Sequence, residues 1–115
     1  MERPAIERRR APRAEAEFAI HLAERGEQRP AQLKDLSTGG LRCHHGEALR
    51  EMTLVEIGMQ LPGGSKVHQV RGAVVRCAKL RGLNPPTYEI AVFFTEVPPE
   101  CRSAIADYVA SQVPA

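Results

Sequence analysis

The chain has no Trp, and its aromatic residues are two Tyr and three Phe in 115 residues. Barrels that hold single-stranded nucleic acid stack bases on aromatic platforms, so this scarcity argues against that class. A dominant charge is missing as well: 16 Lys+Arg face 14 Asp+Glu, a net +2. Duplex recognition needs a wide basic face, so no DNA or RNA partner is expected. Long apolar runs are also missing. No stretch approaches the roughly 20 residues that cross a bilayer, and no apolar segment follows the basic N-terminus as it would in a secretory signal. No membrane insertion is expected. Glu2, Glu7, Glu15 and Glu17 are out of place in an organellar presequence. The three Cys (43, 77 and 101) are too widely spaced for a disulfide framework. A reduced, cytoplasmic protein is the expectation.

What charge there is sits unevenly. Residues 1–13 hold five Arg and two Glu, whereas the rest holds 11 basic and 12 acidic residues. Residues 1–14 also lack apolar periodicity and contain Pro4 and Pro12. They read as a flexible basic arm, leaving residues 15–112 as one small domain. In that domain Phe18, Ile20 and Leu22 alternate with Glu17, Ala19, His21 and Ala23, the period of a strand with one buried face. Gly26-Glu27 marks a turn. A weaker strand follows over 28–35, and its pattern breaks at Asp35-Leu36-Ser37. Gly39-Gly40 suits a turn or bulge at positive φ, and Leu41-Arg42-Cys43 resumes an extended course. Val55, Ile57, Met59 and Leu61 alternate up to the turn Pro62-Gly63-Gly64-Ser65. Residues 66–79 form a long strand bent at Gly72. Tyr88, Ile90, Val92 and Phe94 give the cleanest alternation of all. After Pro98-Pro99 the period changes: Cys101, Ala104, Ile105, Tyr108 and Val109 make one apolar helical stripe. Strands followed by a terminal helix predict a mainly β fold, a small antiparallel barrel with a helix packed on it.

Two short motifs carry the chemistry. Arg9 and Arg13 stand four apart, within Arg8-Arg9-Arg10-Ala11-Pro12-Arg13. A guanidinium fork grips a phosphate with two bonds, matches O6 and N7 of guanine, and stacks on a base. The bland alternative is a solvated basic tail. The second motif is Asp35-x-Ser37-x-x-Gly40. The carboxylate suits the N1–H and N2 amine of guanine, the hydroxyl and backbone N–H groups suit phosphate oxygens, and Gly40 lets backbone come close. The bland alternative is an Asx/Ser turn between strands.

Taken in this order, the motifs resemble those of the PilZ domain, a bacterial receptor for cyclic di-GMP, which carries R-x-x-x-R followed by [D/N]-x-S-x-x-G. The likeness extends through Asp35–Arg42, Val70–Arg76 and Tyr88–Phe94 to the terminal helix, about residues 6–112. It implies a six-stranded, Greek-key-like antiparallel β-barrel with a C-terminal α-helix. It also implies a cyclic di-GMP site made of Arg9, Arg13, Asp35, Ser37 and Gly40. Arg8 and Arg10 flank the first motif and either adds a contact or is simply solvated, the solvated reading being preferred for Arg10; Gly39 is a further candidate. The arm would wrap the ligand, and its ordering would cost entropy. One departure stands out: the family's last strand often reads Ile-Gly-Val-x-Phe, and here Ala91 takes the Gly position, narrowing the ligand edge.

Other constellations are set aside. Cys43-His44-His45 cannot converge on one ion, because neighbours on a strand point to opposite faces. Cys77 and Cys101 read as core thiols, and His21 and His68 as exposed. No acid–base pair or nucleophile triad is recognisable, so no enzyme and no cofactor are expected. The leading function is a non-catalytic cyclic di-GMP receptor that relays its signal to an unidentified downstream protein. The alternative is a PilZ-like interaction module that binds no nucleotide, related to type IV pili or motility. Family members of that kind usually lack the arginine motif present here. Oligomeric state is left open.

Overall fold

The computed structural model describes residues 13–112. Six strands are followed by one helix: β1 (Ala14–Glu24), β2 (Glu27–Leu36), β3 (Gly40–His45), β4 (Leu54–Gln60), β5 (Val67–Lys79), β6 (Tyr88–Glu96) and α1 (Pro99–Gln112). The strands close into an antiparallel barrel in the order β1-β2-β3-β6-β5-β4. Of the arm expected over residues 1–14, only Arg13 and Ala14 lie within the described residues. Among these, no helix is long and apolar enough to cross a membrane.

Alternation builds the core. Ile20 and Leu22 of β1, Ala31 and Leu33 of β2, Ile57 and Met59 of β4, and Ile90, Val92 and Phe94 of β6 all turn inward and are buried. Each of these side chains larger than Ala31 contributes roughly 1.5–3 kcal/mol when fully removed from water. Cys101, Ile105 and Val109 seat α1 on the barrel against β1 and β5, with Phe18 and Tyr108 meeting edge to face at 6.1 Å. The β1–β2 hairpin turns at Arg25 (φ 57°) and Gly26 (φ 82°), the two left-handed positions whose twist suits a two-residue loop.

Several expectations change. Gly39 and Gly40 do not take positive φ; among the described glycines only Gly26, Gly63 and Gly82 do. Gly40 serves a close approach instead: a Cβ there would lie 2.3 Å from the Val92 carbonyl oxygen. His68 is buried rather than exposed, because it opposes the buried Met59 across β4 and β5. Val67 and Val75 of the long strand are about half exposed. Val75 faces water by the strand's own alternation. The β5–β6 register shift between Val74 and Arg76 makes it the extra residue, so Arg76 turns outward and Cys77 takes the next inward place against the core.

The shift that matters most lies on β2. Leu33 pairs with Cys43, but Asp35 pairs with Arg42, so β2 carries one residue more than β3 at this point. In an unbroken strand Leu33 and Asp35 would share the core face. The bulge reverses the phase, turning Asp35 outward beside Arg42 and Leu36 inward, where it is fully buried.

Candidate functional site

The bulge places a carboxylate on the outer wall of the barrel, and two arginines hold it. Arg13 Nε donates to Asp35 Oδ1 at 2.9 Å, and Arg42 Nε donates to Oδ2 at 2.8 Å. The Asp35 side chain is only 10 % exposed, against 48 % for Arg13 and 39 % for Arg42. The guanidinium groups thus flank a largely covered acid while keeping their own outer edges in water. A carboxylate has about four acceptor positions on its two oxygens, and each oxygen receives one arginine bond here. Capacity remains for a further donor pair.

Ser37 is tied on every side. Its Oγ accepts from Arg13 Nη1 at 3.2 Å and from the Gly39 amide at 3.2 Å, and its hydroxyl donates to the Gly40 carbonyl at 3.4 Å. The Ser37 amide donates to the same Gly40 carbonyl at 2.9 Å, closing the β2–β3 turn. The Gly39 carbonyl accepts from the Phe94 amide at 2.9 Å and anchors the turn to β6. In this arrangement Ser37 positions Arg13 and the turn, a role that comes before any contact with a ligand.

Arg42 reaches further than Asp35. Its Nη1 donates to a carboxylate oxygen of Glu89, which lies beside His44. Glu89 holds the Arg42 proton more tightly and Asp35 adds to this, so the guanidinium is raised further above its usual range. In return, the hydrogen bond from Arg42 lowers the Glu89 carboxyl below its ordinary value. Ala91 lies between Arg42 on β3 and Arg76 on β5 in register. Its methyl therefore occupies the strip between two cations.

Of the residues expected from sequence, Arg13, Asp35, Ser37 and Gly40 come together. Gly39 belongs to the same turn, exposed, with nothing nearer to an added Cβ than Ser37 Oγ at 3.9 Å. Arg8, Arg9 and Arg10 lie outside the described residues. Arg42 and Glu89 were not singled out by the sequence. The one available signal was the loss of alternation at Asp35, the mark of the bulge that pairs it with Arg42. The run Cys43-His44-His45 alternates as a strand should: Cys43 and His45 are buried, His44 is half-buried, and His45 Nδ1 lies 3.1 Å from the Pro30 carbonyl.

The fold is that of several solved proteins. Bacillus subtilis MotI/DgrA, an inhibitor of motility, superposes with a TM-score of 0.78 at 16 % identity, covering 90 % of this chain and 50 % of that one. The PilZ domain of Escherichia coli YcgR, solved with c-di-GMP, gives 0.70 at 19 % identity, covering 91 % of each chain. K. pneumonia MrkH in its c-di-GMP complex gives 0.69 at 17 % identity, covering 89 % of this chain and 51 % of that one. The chain thus spans about half the length of MotI and MrkH. The sequence matches none of the curated proteins. The PilZ domain profile matches residues 7–111, nearly the whole length, and that stretch includes both motifs. The chain belongs to the PilZ domain family.

Proposed function

We propose that this chain is a non-catalytic, cytoplasmic receptor for cyclic di-GMP that passes its signal to a separate protein. The observation that supports this reading best is the union of Arg13, Asp35 and Ser37 from the two sequence motifs on one outer patch of the barrel. Cyclic di-GMP carries two phosphates and two guanines. The free edges of Arg13 and Arg42 offer forks for phosphate or for the guanine O6/N7 edge. The remaining lone pairs of Asp35 suit the guanine N1–H and N2 amine. Arg9, with Arg8 and Arg10 beside it, would close over the ligand from residues 1–14, and that closure is the proposed switch. Structures of YcgR and MrkH with c-di-GMP support the ligand class.

The test is calorimetric titration of cyclic di-GMP into the wild type and an Arg9→Ala/Arg13→Ala variant whose fold is checked by circular dichroism. Saturable binding that is lost in the folded variant is expected. A folded wild type that does not bind would reject the receptor and leave a protein-interaction module in its place.

A further inference from the structure

Phe93 is the one exposed aromatic residue among the described residues. Phe94 is buried, and Phe18, Tyr88 and Tyr108 are half-buried. Its direction follows from its neighbours: Val92 and Phe94 face the core, so residue 93 faces water, where an antiparallel strand ordinarily carries a polar group. Phe93 is 59 % exposed. Its partners in register are Gly40 on β3 and Ala73 on β5, with no side chain on one flank and a methyl on the other. Neither can cover a ring.

This open ring adjoins the candidate site. Gly40 closes the turn that holds Ser37. The next outward position on β6 is Ala91, in register with Arg42, which holds Asp35. Two strand residues span roughly 7 Å, about the length of a purine ring system. A base held at its polar edge by the Asp35 cluster thus has an apolar face within reach. Apolar ring, carboxylate and guanidinium forks are the three elements a guanine uses: stacking surface, donor partner and acceptor partner.

We infer that Phe93 is the stacking platform for one guanine of the bound nucleotide. The inference rests on the receptor reading above and adds a base-binding residue that neither motif contains. Base–aromatic stacking is sequence-tolerant and sizeable, so losing the ring should weaken binding roughly tenfold or more. Phe93 is exposed, so its truncation opens no core cavity.

The experiment titrates cyclic di-GMP into the full chain as wild type, Phe93→Ala, Phe93→Trp and Leu54→Ser. The chain has no Trp, so Phe93→Trp carries a sole indole whose emission a stacked guanine quenches. Leu54, 72 % exposed and separated from Phe93 by Ala73 in the same cross-strand row, controls for loss of apolar surface in general. Expected are weak binding by Phe93→Ala, retained binding with quenched emission by Phe93→Trp, and unchanged binding by Leu54→Ser. Wild-type affinity in Phe93→Ala, or unquenched emission in a saturated Phe93→Trp, overturns the platform while leaving the receptor standing. No binding by the wild type rejects both.

Discussion

Gly40 and Val92 approach so closely that the Cβ absent from Gly40 would lie 2.3 Å from the Val92 carbonyl oxygen. The obstacle is backbone, which cannot rotate aside as a side-chain tip can. The motif glycine is therefore required first by the contact between β3 and β6. Gly40→Ala is expected to lose about 1–3 kcal/mol of stability with no ligand present. Gly39→Ala, with 3.9 Å of clearance and no positive φ, is expected to stay within about 0.5 kcal/mol of wild type. Urea unfolding of both variants checks this. A fully stable Gly40→Ala that had lost only ligand affinity would assign the glycine to the ligand instead.

The Arg42–Glu89 pair makes stability depend on pH in a stated direction. Arg42 lowers the Glu89 carboxyl below its ordinary 4.5. A carboxyl depressed by folding contributes stability that is fully present above its unfolded value and is lost as pH falls through the folded one. The contribution is therefore intact at neutral pH and declines from 4.5 downward. The side chains are 39 % and 29 % exposed, so water screens the pair and its share is about 1 kcal/mol or less. Glu89→Gln is expected to flatten the decline in urea midpoint on acidification. An identical slope in variant and wild type would remove Glu89 from the account.

Much of this fold is legible in the sequence because alternation is a local property. Tyr88, Ile90, Val92 and Phe94 announce their strand and its inner face without any knowledge of neighbours, and Phe93 is thereby aimed outward. The bulges are not legible in the same way. Leu33-Lys34-Asp35-Leu36 reads only as a pattern that fails, because an extra residue on β2 is defined by what stands opposite on β3. Arg42 stayed hidden for that reason: its partnership with Asp35 exists only once the register is known. The same limit applies to Gly40. A glycine in a turn motif announces close approach, but the approaching carbonyl comes from β6, which no local pattern connects to it. His68 shows a milder case. Its burial follows from facing Met59 across β4 and β5, a pairing that residue type alone does not reveal.

The cysteines give a test of the core. Burial pushes the Cys43 thiol up to about 12, and burial also raises Cys101. Thiolate is the reactive form, so neither should react at pH 8 in the folded protein. Cys77 is half-buried on β5. A thiol-reactive dye is expected to modify Cys77 first and the other two only at the rate of unfolding, as mass spectrometry of timed samples would show. Rapid labelling of Cys43 would mean that the wall between β3 and β6 opens in the native state.

Arg42 offers the sharpest test of how the site is built. One guanidinium spans two acids, using Nε for Asp35 and Nη1 for Glu89. This fixes the plane of the Asp35 carboxylate while leaving part of the fork in water. Bonds to charged groups contribute roughly 1.5–3 kcal/mol each, and exposure reduces this. Arg42→Ala is accordingly expected to weaken cyclic di-GMP binding roughly tenfold with the barrel still folded. Arg42→Lys retains the charge but not the fork, and a single ammonium cannot reproduce both directed bonds. It should recover only a minor part of the loss. Calorimetry on the two variants separates charge from geometry. Full recovery by Lys would show that the site asks of residue 42 only a positive charge, and wild-type affinity in Arg42→Ala would leave the orientation of Asp35 to Arg13 alone.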